Sequence, residues 1–130
     1  MEEKKEYLKG YRRAKEEAEA ITSSIQELKR DMEMPAIENE RSGKVQREQD
    51  QRRLKKLEQR LEDKKWEALN LHVEIEGSGM DMDTEAERSL LRYRYIAGMK
   101  WEDICDKMGY SWRQIHYLHN KALEHFQKTA

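Results

Sequence analysis

The chain has 130 residues, of which 41% are charged and 36% hydrophobic, with 26 Lys and Arg set against 27 Asp and Glu. A wide hydrophobic core, the run of ~20 apolar residues that a membrane span needs, an internal disulfide and the overall basic excess of a typical nucleic-acid binder are all excluded. No third of the chain departs from charge balance, so nucleic-acid binding would have to come from a local patch.

From about Glu3 to Met32, Tyr7, Tyr11, Ala14, Ala18, Ile21, Ile25, Leu28 and Met32 alternate in steps of four and three. That is a heptad seam, the pattern of a coiled coil. Gly10 interrupts it at a cost of about 1 kcal/mol relative to Ala. The charged start, Met1 to Lys5, leads into no apolar stretch, so no signal peptide is expected. Pro35 should stop the first helix near Glu33, and a loop is expected over about 33–46.

A second seam runs through Leu54, Leu57, Leu61, Lys64, Ala68, Leu71 and Ile75. Lys64 is its one polar member, placed to fix register or to snorkel outward. Two helices of similar length predict an antiparallel hairpin over residues 1–76, with Ile21, Ile25 and Leu28 facing Leu54, Leu57 and Leu61. Trp66, Leu69 and Val73 form a surplus stripe, to be covered by the C-terminal domain or by a second chain in a homodimer.

Residues 77–83, with two glycines and two aspartates, read as a linker to a domain over 84–130. Thr84 and Glu87 have the spacing of a capping box for a helix reaching about Ala97. A short helix from Trp101 to Met108 follows, closed by Gly109. Ser111 can cap a last helix, Trp112 to about Gln127, burying Ile115, Leu118, Ala122 and Phe126. Two helices joined by a three-residue turn with a glycine make the helix-turn-helix pattern. Seven of the ten aromatic residues lie beyond residue 90, so the compact core is expected there.

Glu87 to Ile96, Trp101 to Cys105, Met108 to Ser111, Arg113 to Ile115 and Lys121-Ala122-Leu123 together resemble region four of bacterial sigma factors. The coiled coil ahead of such a module also resembles the ArpU-type regulators of bacteriophages and prophages. The resemblance implies an all-α fold, a long hairpin followed by a sigma-like helix-turn-helix, and a role in transcription control in the cytoplasm of a bacterial host. It implies double-stranded DNA as partner, RNA polymerase as a further one, and no membrane. Sigma regions two and three have no counterpart, so promoter melting by this chain alone is not expected.

The expected DNA-contacting set is Ser111, Trp112, Arg113, Gln114, His116, Tyr117 and Lys121. Arg113 suits guanine and Gln114 adenine, while Ser111, His116, Tyr117 and Lys121 suit phosphates or neighbouring bases. The preceding helix is acidic through Glu102, Asp103 and Asp106, which opposes phosphate binding. A docking inhibitor or adaptor of RNA polymerase, or a packaging protein like the terminase small subunits, are the alternatives. No cofactor, metal site or catalytic constellation is expected: His116, His119 and His125 do not share a face, and Cys105 suits a small core position. The chain reads as a non-enzyme.

Overall fold

A computed structural model of the protein describes residues 2–33, 40–77 and 85–126. The described residues are all-helical. The order is α1 (Glu2–Glu33), α2 (Glu40–Gly77), α3 (Glu85–Leu91) running into a π-helical turn (Arg92–Ile96), α4 (Trp101–Met108) and α5 (Trp112–His125). No described helix is long and apolar enough to cross a membrane. The capping position of Thr84 and linker residues 78–83 lie outside the described residues.

The first helix ends at Glu33, two residues ahead of Pro35, in keeping with the general disfavour of helix just before a proline. The loop expected over about 33–46 is corrected: α2 begins at Glu40, so residues 40–46 are helical. Gly43 is outweighed by the good helix formers that follow, since each added residue propagates a helix already nucleated downstream. Side chains reinforce this turn. Arg47 Nε donates to the Gly43 carbonyl at 3.3 Å, and Gln46 Nε2 donates to Asp50 Oδ1 at 2.9 Å.

Two compact units divide the chain: residues 14–66, and residues 1–13 together with 67–130. The division does not follow the expected boundary at the linker, because the ends of the two long helices belong with the C-terminal helices. Within unit 14–66, Ala14, Ile21, Ile25 and Leu28 are buried, while Leu54, Leu57 and Leu61 are half-buried. Lys64, the polar seam member, holds Glu17 with Nζ 2.8 Å from Oε2.

The other unit has a closed core in which Leu8 and Ile75 from the long helices join Leu90, Leu91, Tyr95, Ile104, Ile115, Ala122, Leu123 and Phe126. Each fully buried large apolar side chain contributes roughly 1.5–3 kcal/mol. Gly10 is explained by this packing. A Cβ there would lie 3.1 Å from Leu71 Cδ1, so the missing side chain lets the two helix ends approach. Alongside, the Tyr7 hydroxyl donates to the Glu74 carboxylate, and Tyr11 meets His72 edge-on at 5.5 Å. Residue numbers therefore rise on α1 as they fall on α2. Burial, then the bond to Glu74, pushes the Tyr7 phenol up to about 12.

Two polar ties fasten the C-terminal helices to these ends. Arg92 grips Glu76 with both ends of its guanidinium fork, at 2.8 and 2.9 Å. That bond holds the Glu76 carboxyl below the usual range. Lys4 Nζ donates to the carbonyls of Leu123 and Glu124 at 2.8 and 3.4 Å, satisfying acceptors that the last turn of α5 leaves open.

Candidate functional site

The turn between α4 and α5 is built from Gly109, Tyr110 and Ser111. Gly109 takes the left-handed conformation (φ 73°), and its N–H and that of Tyr110 both donate to the Cys105 carbonyl, at 2.9 and 3.1 Å. Ser111 then caps α5 reciprocally. The Gln114 N–H donates to Ser111 Oγ at 3.2 Å, and the Ser111 N–H donates to Gln114 Oε1 at 2.9 Å. The start of α5 is thus fixed by its own sequence.

The buried side of α5 is Ile115, His119, Ala122 and Leu123, with Phe126 just beyond its end. Ile115, Ala122 and Phe126 were expected there. Leu118 is only half-buried, and His119 and Leu123 occupy the deeper positions. A histidine is accepted in this core because Tyr95 completes it: the hydroxyl and His119 Nε2 lie 2.8 Å apart in a hydrogen bond. Burial, with smaller contributions from Lys5, His116 and Arg94, pushes the His119 imidazole down to about 4. Burial likewise raises the Tyr95 phenol to about 12. Cys105 is half-buried against the same core, and His125 Nδ1 donates to the buried carboxylate of Glu87 at 2.8 Å.

The seven residues singled out from the sequence fall into two groups flanking the first turns of α5. Arg113, Gln114 and Tyr117 line one side, around a shallow hollow of about 440 Å³ whose other walls are Tyr110 and Leu118. Lys121 continues this side, with Nζ 5.7 Å from the Tyr117 ring and 3.5 Å from Glu124 Oε2. Trp112 and His116 turn to the other flank, where His116 sits between two indoles, 4.4 Å from Trp112 and 5.4 Å from Trp101. Arg94 lies over Trp101 at 4.5 Å and donates to the Met99 carbonyl at 2.9 Å. A second hollow of about 370 Å³ is lined by Arg94, Lys100, Trp101, Glu102 and Trp112. Ser111 stands between the flanks as the cap.

Tyr110, Arg94 and Trp101 were not among the expected contacts. Tyr110 lies in the turn ahead of the Ser111 cap, and the fold, not helical spacing, brings it beside Arg113 and Tyr117. The placing of Arg94 and Trp101 depends on the π-helical turn, whose widened ring, closed by Ala97 N–H to Arg92 O at 2.9 Å, has no sequence marker.

The face is chemically mixed. Trp112 and Tyr117 are 58% and 66% exposed, large values for such side chains outside a contact surface. Arg113 supplies a planar five-donor fork, Gln114 an amide and Lys121 a mobile cation. Such a face suits recognition of hydrogen-bond acceptors, apolar groups and anionic charge together.

These features define an all-helical protein whose last helix, capped and anchored from beneath, presents an aromatic and basic face. The chain belongs to a family described as "Protein of unknown function (DUF1492)", whose model matches residues 31–127. No curated protein and no solved structure matches the chain.

Proposed function

We propose that this protein is a sequence-specific, double-stranded-DNA-binding transcription regulator that uses α4, the Gly109 turn and α5 as a helix-turn-helix. The observation that carries the reading is the division of α5. Ile115, His119, Ala122 and Leu123 face the core, while Arg113, Gln114 and Tyr117 in its first two turns are exposed. A recognition helix meets the major groove with just those turns. The resemblance to sigma region four and to ArpU-type regulators supports a phage or prophage setting in the bacterial cytoplasm. The long helices serve as an antiparallel coiled-coil hairpin for homodimerisation or RNA polymerase docking. Leu69 and Val73, 49% and 59% exposed, are left uncovered by the C-terminal helices and favour a dimer.

The test is titration against a DNA site enriched from a random duplex library, at two salt concentrations. Arg113→Ala is expected to weaken the enriched site by about 1–3 kcal/mol and relax base choice there. Lys121→Ala is expected to weaken all sequences alike and flatten the salt dependence. Equal affinities for wild type and both variants would reject the reading. Light scattering of the DNA complex at tens of micromolar checks the dimer; a monomeric mass counts against it, and a ring would favour a packaging role.

A second reading is favoured by one observation, the exposed Tyr110, Trp112, Arg113 and Tyr117 on the two flanks of the start of α5, beside an acidic α4. Trp, Tyr and Arg are the residues that dominate protein–protein hot spots. On that reading the same face docks a polymerase or adaptor, and Arg113→Ala abolishes a pull-down without altering DNA retention.

A further inference from the structure

The hollow beside α5 combines a donor with an apolar floor. Tyr110, Tyr117 and Leu118 line it with carbon surface, and Arg113 and Gln114 line it with donors. Arg113, Gln114, Tyr117 and Leu118 share one side of α5, and the turn ahead of the helix brings Tyr110 against them. The capping bond decides what Gln114 can offer there. Its Oε1 accepts the Ser111 N–H at 2.9 Å, which leaves Nε2 as the donor end of the amide. Adenine, the base first expected for Gln114, needs both ends of the amide turned to one base edge, whereas the cap turns Oε1 toward the Ser111 backbone.

Resting on the DNA-reading proposal above, we propose that this hollow specifies thymine. In the major groove thymine presents an acceptor, O4, next to its C5-methyl group. The Gln114 amide donates to O4, the methyl group rests on the carbon surface of Tyr117 and Tyr110, and Arg113 reads an adjacent guanine. Cytosine is rejected because its amino group meets a donor. 5-Methylcytosine supplies the methyl group with the same mismatched amine.

The experiment starts from the site enriched from a random duplex library with the full-length chain. Each thymine is replaced in turn by uracil, which lacks only the methyl group, and by 5-methylcytosine paired with guanine. At one thymine, uracil is expected to weaken binding about four-fold, the effect of burying one methyl group. 5-Methylcytosine at the same position is expected to weaken it about ten-fold or more, as a mismatched base does. Tyr117→Ser, on an exposed side chain, should abolish the thymine–uracil difference while binding stays dependent on Arg113. Gln114→Glu keeps an acceptor for the Ser111 N–H but removes the donor, so it should shift the preference toward 5-methylcytosine. Uracil equal to thymine at every position, or 5-methylcytosine preferred by the wild type, overturns the thymine assignment while leaving DNA reading intact. No enrichment of any sequence removes the DNA-reading proposal itself, and this inference with it.

Discussion

Unit 14–66 and the unit formed by the chain ends are built from the same helix-forming residues but bury them differently. In the first, burial is confined to a stripe one residue wide, and Ile21, Ile25 and Leu28 retain 6–8% exposure while Leu54, Leu57 and Leu61 are half-exposed. In the second, Leu90, Leu91, Ile104, Ile115 and Phe126 are closed off entirely, and the core also holds Glu87 and His119. A stripe can only remove part of each side chain from water, so its stability accumulates thinly along its length. A closed core removes whole side chains, which leaves enough in hand to carry buried polar groups, provided each has a partner.

The largest expected effects break this comparison directly. Ile104→Ala or Leu90→Ala should cost about 2–5 kcal/mol, because a fully enclosed site collapses poorly around the lost volume. Ile25→Ala should fall at or below the low end of that range, since half-exposed neighbours can close over it. Ile25→Asp should cost several kcal/mol, because an unpaired charge would be placed in the stripe. Thermal and denaturant melts followed by circular dichroism measure all of these. An Ile25→Ala loss equal to that of Ile104→Ala would end the distinction between stripe and core.

Acid should act on the closed core first. The His119 imidazole is held at about 4, below its ordinary 6.5, so the unfolded chain takes up the proton at higher pH than the folded one. The stability tied to this group is therefore complete above about pH 6.5 and is lost as pH falls toward 4, by up to about 3 kcal/mol. Glu76 adds a loss in the same direction, only below the ordinary carboxylate range. Denaturant titrations at pH 7 and 4.5 should show the drop, and His119→Gln should flatten it. An unchanged slope in that variant would place the acid sensitivity elsewhere.

How far the sequence disclosed this structure depends on the kind of signal. Pro35, Gly109 and the Ser111 cap act locally, and the helix ends they mark are where the spacing puts them. The α5 core face was legible at Ile115, Ala122 and Phe126. His119 was not, because a histidine is admitted to a core only by a partner 24 residues away, Tyr95. The start of α2 was missed because Ser42 and Gly43 look like a loop in isolation, whereas helix propagation from a long downstream segment carries through them. The grouping of the chain ends into one unit was equally hidden: Leu8 and Lys4 meet the C-terminal helices through contacts more than a hundred residues apart in the case of Lys4 and Leu123. The two flanks of α5 were half-legible, since helical spacing assembles Arg113 with Tyr117, but the approach of Tyr110 from the turn and the seating of His116 between Trp101 and Trp112 require the tertiary fold.

Glycines give a finer test. Gly98 and Gly109 share positive φ values of 70° and 73°, where a side chain adds roughly 1–2 kcal/mol of strain. A Cβ at Gly109 would meet nothing within 4 Å, but one at Gly98 would lie 2.7 Å from Arg12 Cζ. Gly98→Ala should therefore cost more than Gly109→Ala by the displacement of the Arg12 guanidinium. Equal melting points for the two variants would show that Arg12 moves aside freely.

The smallest expected effects come from one ion pair in each unit, and they separate geometry from charge. Glu76–Arg92 is bidentate, at 2.8 and 2.9 Å, with about two-fifths of each side chain exposed. In Glu17–Lys64 the ammonium Nζ lies 2.8 Å from Oε2, with the carboxylate half exposed. Both sit in enough water for screening to remove most of the Coulomb attraction, so neither should exceed about 1 kcal/mol in a double-mutant cycle. The guanidinium fork is planar and its two bonds are made together, so less side-chain freedom is lost for each than with the flexible ammonium of Lys64. The Glu76–Arg92 cycle should accordingly give the larger coupling. Raising salt to 1 M, where the Debye length falls to about 3 Å, should erase the Glu17–Lys64 coupling while part of the Glu76–Arg92 coupling survives as hydrogen bonding. Couplings that are equal and equally salt-sensitive would mean that charge alone, and not the fork, ties the end of α2 to the helix that follows.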